Sequence, residues 1–292
     1  MTVEWCAEIG SNHNQSLDRA IELISKAKEI GAHAVKFQAF KACLLYAPGF
    51  KNKILQMSKW ELPEKFIPEI KKHCDSLNIE FGCSVFDLQS LDLAKKFASW
   101  LKIGSYEMVW MPLLLEVINT KMPWMFSTGM TITTTEVAWP VALGKIKNNP
   151  PYAILHCNSN YPALPQHCNL SKIKEVKKNH NSIKVGWSDH TRNPELVLNA
   201  IGCGAQYVEF HFDLEDGKGI ESSIGHCWKP SEVKALINQV RFHESNNIKY
   251  PKRREWIYSK TTGEIEASKW RTDPEDGLRP LKRYRKELLK LK

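Results

Sequence analysis

Ala34-Val35-Lys36-Phe37-Gln38 alternates its side chains, with Val35 and Phe37 on one face and Lys36 and Gln38 on the other. Successive residues of a strand point to opposite faces, so this reads as a strand that is apolar on one side and polar on the other. Leu101-Lys102-Ile103 repeats the split, with a lysine between two aliphatics. Val208-Glu209-Phe210-His211 repeats it again, with Glu209 and His211 sharing a face. In a barrel the apolar face meets the surrounding helices and the alternate face points inward. Two lysines, two acids (Glu8 and Glu209) and at least one histidine are therefore expected to converge on one axis.

Working outward, eight short apolar segments across residues 3–212 carry polar or ionisable residues at or just past their ends. In order these are Glu8, Lys36 with Gln38, Ser84, Lys102 with Ser105, Ser127, His156, Ser188 with His190, and Glu209 with His211. Strands are expected over 3–9, 33–38, 80–85, 100–103, 124–127, 152–156, 183–188 and 207–212. Helical patterns follow at 17–30, 61–76, 87–97, 111–120, 134–147, 171–179, 194–201 and 231–244. Leu17, Ala20, Ile21, Ile24, Ala27 and Ile30 recur at helical spacing, and Gly31 stands where a C-terminal glycine cap belongs. Strands alternating with helices imply a parallel sheet, and eight such units fit a closed α/β barrel better than an open sheet. A parallel barrel carries its chemistry at the C-terminal ends of its strands.

Two long segments interrupt the rhythm on that face, 39–60 and 157–170, where long loops bind or cover substrate. After about residue 245 the pattern stops. The expected division is a barrel over 1–248 and a short basic C-terminal extension over 249–292, packed on the barrel or on a partner subunit. The net charge of +9 owes much to Lys252-Arg253-Arg254 and to the basic stretch from Arg279 to Lys292. A basic balance suits an anionic small molecule as well as nucleic acid, and no nucleic-acid motif accompanies it. No apolar run nears the roughly 20 residues that span a bilayer. The N-terminus runs straight into a strand without a signal-peptide pattern, and the eight cysteines include no Cys-x-x-Cys pair. Cys6, Cys74, Cys83, Cys157 and Cys203 are expected as buried free thiols of a cytoplasmic protein.

His190 and His211 end adjacent expected strands, which lie about 4.8 Å apart. They either share a divalent ion, with Asp189 orienting a ligand, or are hydrogen-bonded core histidines. Lys36 and Lys102 pointing into a barrel need anions. They either hold a phosphate or carboxylate with Ser84, Ser105, Ser127 and Ser188, or pair internally with Glu8, Glu107 or Glu209. Glu8 is a candidate general acid or base, or a grip on substrate hydroxyls.

Together the motifs resemble the sialic acid synthase family, which includes N-acetylneuraminate, legionaminate and pseudaminate synthases. The matching segments run in family order: Ala7-Glu8-Ile9-Gly10-Ser11-Asn12-His13-Asn14, Val35-Lys36-Phe37-Gln38, Lys102-Ile103-Gly104-Ser105-Tyr106-Glu107, Ser127-Thr128-Gly129-Met130, Leu155-His156-Cys157, Tyr161-Pro162, Ser188-Asp189-His190-Thr191 and Glu209-Phe210-His211-Phe212. The resemblance implies a TIM (β/α)8 barrel that condenses phosphoenolpyruvate with an open-chain N-acyl amino sugar to a nine-carbon 2-keto acid and phosphate. It implies His190 and His211 as ligands of a divalent metal ion, typically Mn2+, with Mg2+ or Co2+ as alternatives. It implies Lys36, Ser84, Lys102, Ser105, Ser127, Ser159 and Ser188 around phosphoenolpyruvate, and Glu8, Gln38, Glu107, Tyr161 and Glu221 toward the sugar. Catalysis would rest on Glu8, Lys36, Lys102, His190 and His211.

The chain also departs from that family's pattern. Members carry a C-terminal antifreeze-like domain that lends an arginine to a neighbouring subunit's sugar site. Residues 249–292 are too short for it, which leaves a homodimer open. Gly219-Ile220-Glu221 stands where an acidic residue usually follows Gly-Pro, and Gly225-His226-Cys227-Trp228 replaces a more ordinary stretch. Two other functions compete with the synthase: a metal-dependent pyruvate aldolase on the same barrel, and a non-catalytic binding protein.

Overall fold

The computed structural model describes residues 2–131, 134–251 and 260–290. Eight parallel strands close into a barrel in sequence order. They are β1 (Glu4–Gly10), β2 (Ala34–Ala39), β3 (Glu80–Val85), β4 (Trp100–Ile103), β5 (Trp124–Ser127), β6 (Ala153–His156), β7 (Lys184–Asp189) and β8 (Tyr207–His211). A helix follows each strand, from Leu17–Glu29 after β1 to Pro230–Ser245 after β8. The first begins at Ser16, whose side chain accepts from the Arg19 amide, and ends at Gly31 with φ +90°. The α/β barrel read from the sequence is the fold of the protein.

Two apolar layers hold it. Outside the barrel, Val35, Phe37, Leu101, Ile103, Val208 and Phe210 pack against the helices. Inside, Cys6, Ala34, Trp100, Met125, Ala153, Leu155 and Tyr207 form a separate plug. Large and small residues interlock there: a Cβ at Gly82 would lie 2.1 Å from the Trp100 ring. Two residues further along the same inward faces, the plug gives way to Glu8, Lys36, Lys102, Ser127 and Glu209. The floor of the site is thus a greasy layer that excludes water from beneath the charges.

The segment after β2 is not wholly irregular. It carries two short helices, Ala42–Leu45 and Lys51–Ser58. Against them folds the C-terminal segment, with helices Thr262–Lys269 and Lys282–Lys290. Phe40, Leu45, Tyr46, Phe50 and Leu288 form a third apolar cluster that Trp270, Leu278 and Tyr284 complete. The Arg279 amide donates to the Leu45 carbonyl and the Ala47 amide to the Arg279 carbonyl, both at 2.8 Å. Of the two homes expected for the extension, residues 260–290 occupy the barrel. Lys252-Arg253-Arg254 lie outside the described residues.

The five cysteines expected to be buried free thiols are so, and all eight are unbridged. Among the described residues no helix is long and apolar enough to cross a membrane.

Candidate active site at the barrel mouth

A cavity of about 490 Å³ opens at the C-terminal ends of the strands. Glu8, Lys36, Gln38, Ser84, Lys102, Ser105, Glu107, Ser127, Tyr161, Ser188, His190, His211 and Glu221 all line it. Ser159 does not. It turns behind Gly129, where an added Cβ would meet its hydroxyl at 2.0 Å. His156, the sixth strand's polar end, faces away from the cavity and bonds the Cys168 carbonyl at 2.8 Å.

The lysine side is already paired. Lys36 Nζ forms an ion pair with Glu8, lies 3.7 Å from Glu209, and donates to Ser84 Oγ at 2.7 Å. Lys102 Nζ donates to Glu209 Oε1 at 2.7 Å, and Ser188 Oγ reaches the same oxygen at 2.9 Å. Gln38 Nε2 donates to Glu8 Oε1 at 3.1 Å. Burial lowers the Lys36 ammonium to about 8 against the pull of Glu209. Burial would raise Glu209, but Lys102 and Lys36 hold it below the usual carboxylate range. Of the internal partners the sequence offered, Glu8 and Glu209 take the lysines. Glu107 instead receives the Arg279 guanidinium and the Thr272 hydroxyl from the C-terminal segment. Ser127 Oγ, buried, has no hydrogen-bond partner among the described residues.

The histidine side is built differently. His190 Nδ1 bonds the Asn158 carbonyl at 2.6 Å, and His211 Nδ1 bonds Glu221 Oε2 at 2.7 Å. Each ring thereby presents Nε2 as its remaining nitrogen. Burial pushes His190 well below its ordinary value and His211 to about 4, so both are neutral at physiological pH. The rings stand 5.3 Å apart, and Tyr161 stacks over His190 at 4.1 Å. Neutral imidazoles oriented by a carbonyl and a carboxylate are what a divalent cation requires of histidine ligands, so the residues fit one.

Asp189 does not orient them. Its carboxylate accepts from the Trp187 and Trp228 indoles and from Thr191, tying down the loop after β7. Glu221, expected toward the sugar, takes that orienting part. Its Oε1 accepts from the Ser11 amide at 2.6 Å and its Oε2 serves His211.

Sequence reasoning missed two residues of the wall, His226 beside His211, and Arg279. For His226 the signal was the unusual Gly225-His226-Cys227-Trp228. Arg279 gave none, because it reaches Glu107 across 172 residues of chain.

Comparison with known proteins agrees with the barrel fold and gives the family. The N,N'-diacetyllegionaminic acid synthase of Legionella pneumophila is 35% identical over 268 residues, covering 84% of this chain and 73% of its own. The spore coat polysaccharide biosynthesis protein SpsE of Bacillus subtilis is 34% identical over 253 residues, covering 82% and 67%. The crystal structure of the N-acetylneuraminic acid synthetase of Leptospira borgpetersenii, in complex with citrate, superposes with a TM-score of 0.78 at 27% identity over 91% of both chains. Residues 23–248 match the sequence model of the NeuB family, and the chain belongs to that family.

Proposed function

We propose that the protein condenses phosphoenolpyruvate with an N-acyl amino sugar of the N-acetylmannosamine type, giving a nine-carbon 2-keto acid and inorganic phosphate, assisted by a divalent cation such as Mn2+. The observation that carries this reading is the pair of buried ammonium groups, Lys36 and Lys102, beside the unpartnered Ser127 hydroxyl on one cavity wall. Two cations and an orphan donor in a water-poor site suit a multiply charged phosphorylated donor better than the monoanion pyruvate.

In this reading Lys36 and Lys102 exchange part of their carboxylate contacts for the carboxylate and phosphate of the donor. Ser127, Ser105, Ser84 and Ser188 complete its shell. Gln38, Glu107 and Tyr161 face the acceptor. His190 and His211 hold the cation, which when bound polarises the sugar carbonyl as a Lewis acid. The methylene carbon of phosphoenolpyruvate forms a bond to the aldehyde carbon, and the aldehyde oxygen takes a proton. Lys36 Nζ, lowered toward neutrality, is the wall group suited to lend it. Water adds at C2 with loss of a proton. The C2 hydroxyl then yields its own proton as phosphate leaves, and the keto group remains. The fixed lysines supply alignment and charge without reorganisation.

The test mixes the full chain with phosphoenolpyruvate, Mn2+ and a panel of N-acyl hexosamines. One member of the panel should release phosphate in step with 2-keto acid formation. No phosphate release from that mixture, with consumption of pyruvate in a parallel mixture where pyruvate replaces phosphoenolpyruvate, would replace this reading with the aldolase.

A further inference from the structure

The loop after β8 brings a third imidazole to the pair already described. Its placement is fixed by Trp228, whose indole donates to Asp189 at 2.9 Å and whose amide donates to the His211 carbonyl at 2.8 Å. Two residues earlier, His226 is 1% exposed. Its ring lies 4.4 Å from that of His211, 5.0 Å from Tyr161 and 6.5 Å from His190. Gly225, at φ +95°, supplies the turn that delivers it.

The nitrogens of His226 divide as those of His211 do. His226 Nε2 faces Glu221 Oε2 at 3.7 Å, the same oxygen that His211 Nδ1 meets at 2.7 Å. The other ring nitrogen, Nδ1, is buried without a hydrogen-bond partner among the described residues. An orphaned buried nitrogen of this kind is destabilising unless something outside the chain completes it. His211, Glu221, His226 and Cys227 offer ligand atoms that all lie within 4.8 Å of one another. Cys227 Sγ is engaged by the Asn12 amide at 3.4 Å, which leaves the imidazoles as the available donors.

Charge points the same way. The buried lining groups comprise four carboxylates (Glu8, Glu107, Glu209, Glu221) against three cations (Lys36, Lys102, Arg279). Counting those groups alone, the wall is formally −1, which repels a dianion, and one divalent cation makes it +1.

We propose that His226 is a third protein ligand of the cation site, joining His190 and His211, with Glu221 as the carboxylate shared behind His211 and His226. This rests on the reading that His190 and His211 hold a cation. A third imidazole shifts preference away from Mg2+ and Ca2+ toward transition metals such as Co2+ and Zn2+.

The test titrates the full chain, without substrates, with Mn2+ followed by electron paramagnetic resonance of the free ion, and with Co2+ followed by its visible absorption. His226→Ala and His226→Gln should weaken binding at least tenfold while melting like the parent chain in chelator. A His226→Cys chain loaded with Co2+ should gain a near-ultraviolet sulfur-to-cobalt band that the parent lacks, an outcome a merely structural role would not produce. If both His226 variants bind within twofold of the parent while His211→Ala does not, the third ligand is overturned and the pair stands. If the parent binds neither ion, the pair falls too.

Discussion

The two halves of the cavity wall solve the same burial problem in opposite ways. On the lysine half each ammonium already has a carboxylate, Lys36 with Glu8 and Lys102 with Glu209. On the histidine half the rings are oriented from behind, and one nitrogen, His226 Nδ1, has no hydrogen-bond partner among the described residues. On the first half both ammonium groups are paired without a ligand and must trade contacts to bind one, while Ser127 Oγ is left without a partner among the described residues. The second is incomplete until something arrives. Removing a residue should therefore injure folding on the lysine half and ligand binding on the histidine half.

The sharpest way to break that contrast is His211→Ala. Loss of a Lewis-acid ligand is expected to cut kcat by about a thousandfold or more, with the melting temperature in chelator nearly unchanged. Metal-independent turnover at the parent rate in this variant, measured under strict chelation, would dissolve the distinction. Next comes Lys102→Met, which leaves the buried Glu209 carboxylate with the Ser188 hydroxyl and the more distant Lys36. It should cost about 3–5 kcal/mol in denaturant unfolding and raise KM for phosphoenolpyruvate far more than for the sugar. Equal losses for both substrates would move Lys102 off the anion side.

A buried histidine outside the cavity provides the control. Burial lowers His156 from 6.5 to about 4, so it stays neutral in the fold where the unfolded chain takes up a proton. Its contribution to stability is whole above about pH 6.5 and is lost as pH falls toward 4, worth roughly 3 kcal/mol. His156→Gln should flatten the pH dependence of unfolding over that window and leave Mn2+ affinity alone. A change in metal affinity would show that the two histidine environments are coupled. The smallest effect is expected of Ser127→Ala. Removing an unpartnered hydroxyl should raise KM for phosphoenolpyruvate by about tenfold and leave stability unchanged or slightly improved.

What could be read from the chain beforehand follows the same division. Alternation on β2, β4 and β8 told which residues face the axis, because strand geometry has period two and no tertiary input is needed. That placed Lys36, Lys102, Glu209 and His211 correctly on the inward face. Partner choice was legible for the lysines, whose partners Glu8 and Glu209 were among those offered, and not for the histidines. Asp189 stands beside His190 in sequence, yet it serves two indoles, while Glu221, ten residues past His211, orients that ring. Loop closure decides such pairings, and spacing does not encode it. Arg279 is the extreme case, delivered by a segment that folds back only because Tyr46, Phe50 and Trp270 need covering.

That return of the chain has a practical outcome for anyone cutting it. The matched family region stops at residue 248, a natural place to end an expression clone. A protein trimmed there would keep every strand, but it would strip Glu107 of both its guanidinium and its hydroxyl donor and bare the aromatic patch around Phe50. Such a fragment should be sticky and feeble for reasons unrelated to its barrel, and its inactivity would say nothing against the chemistry of the whole.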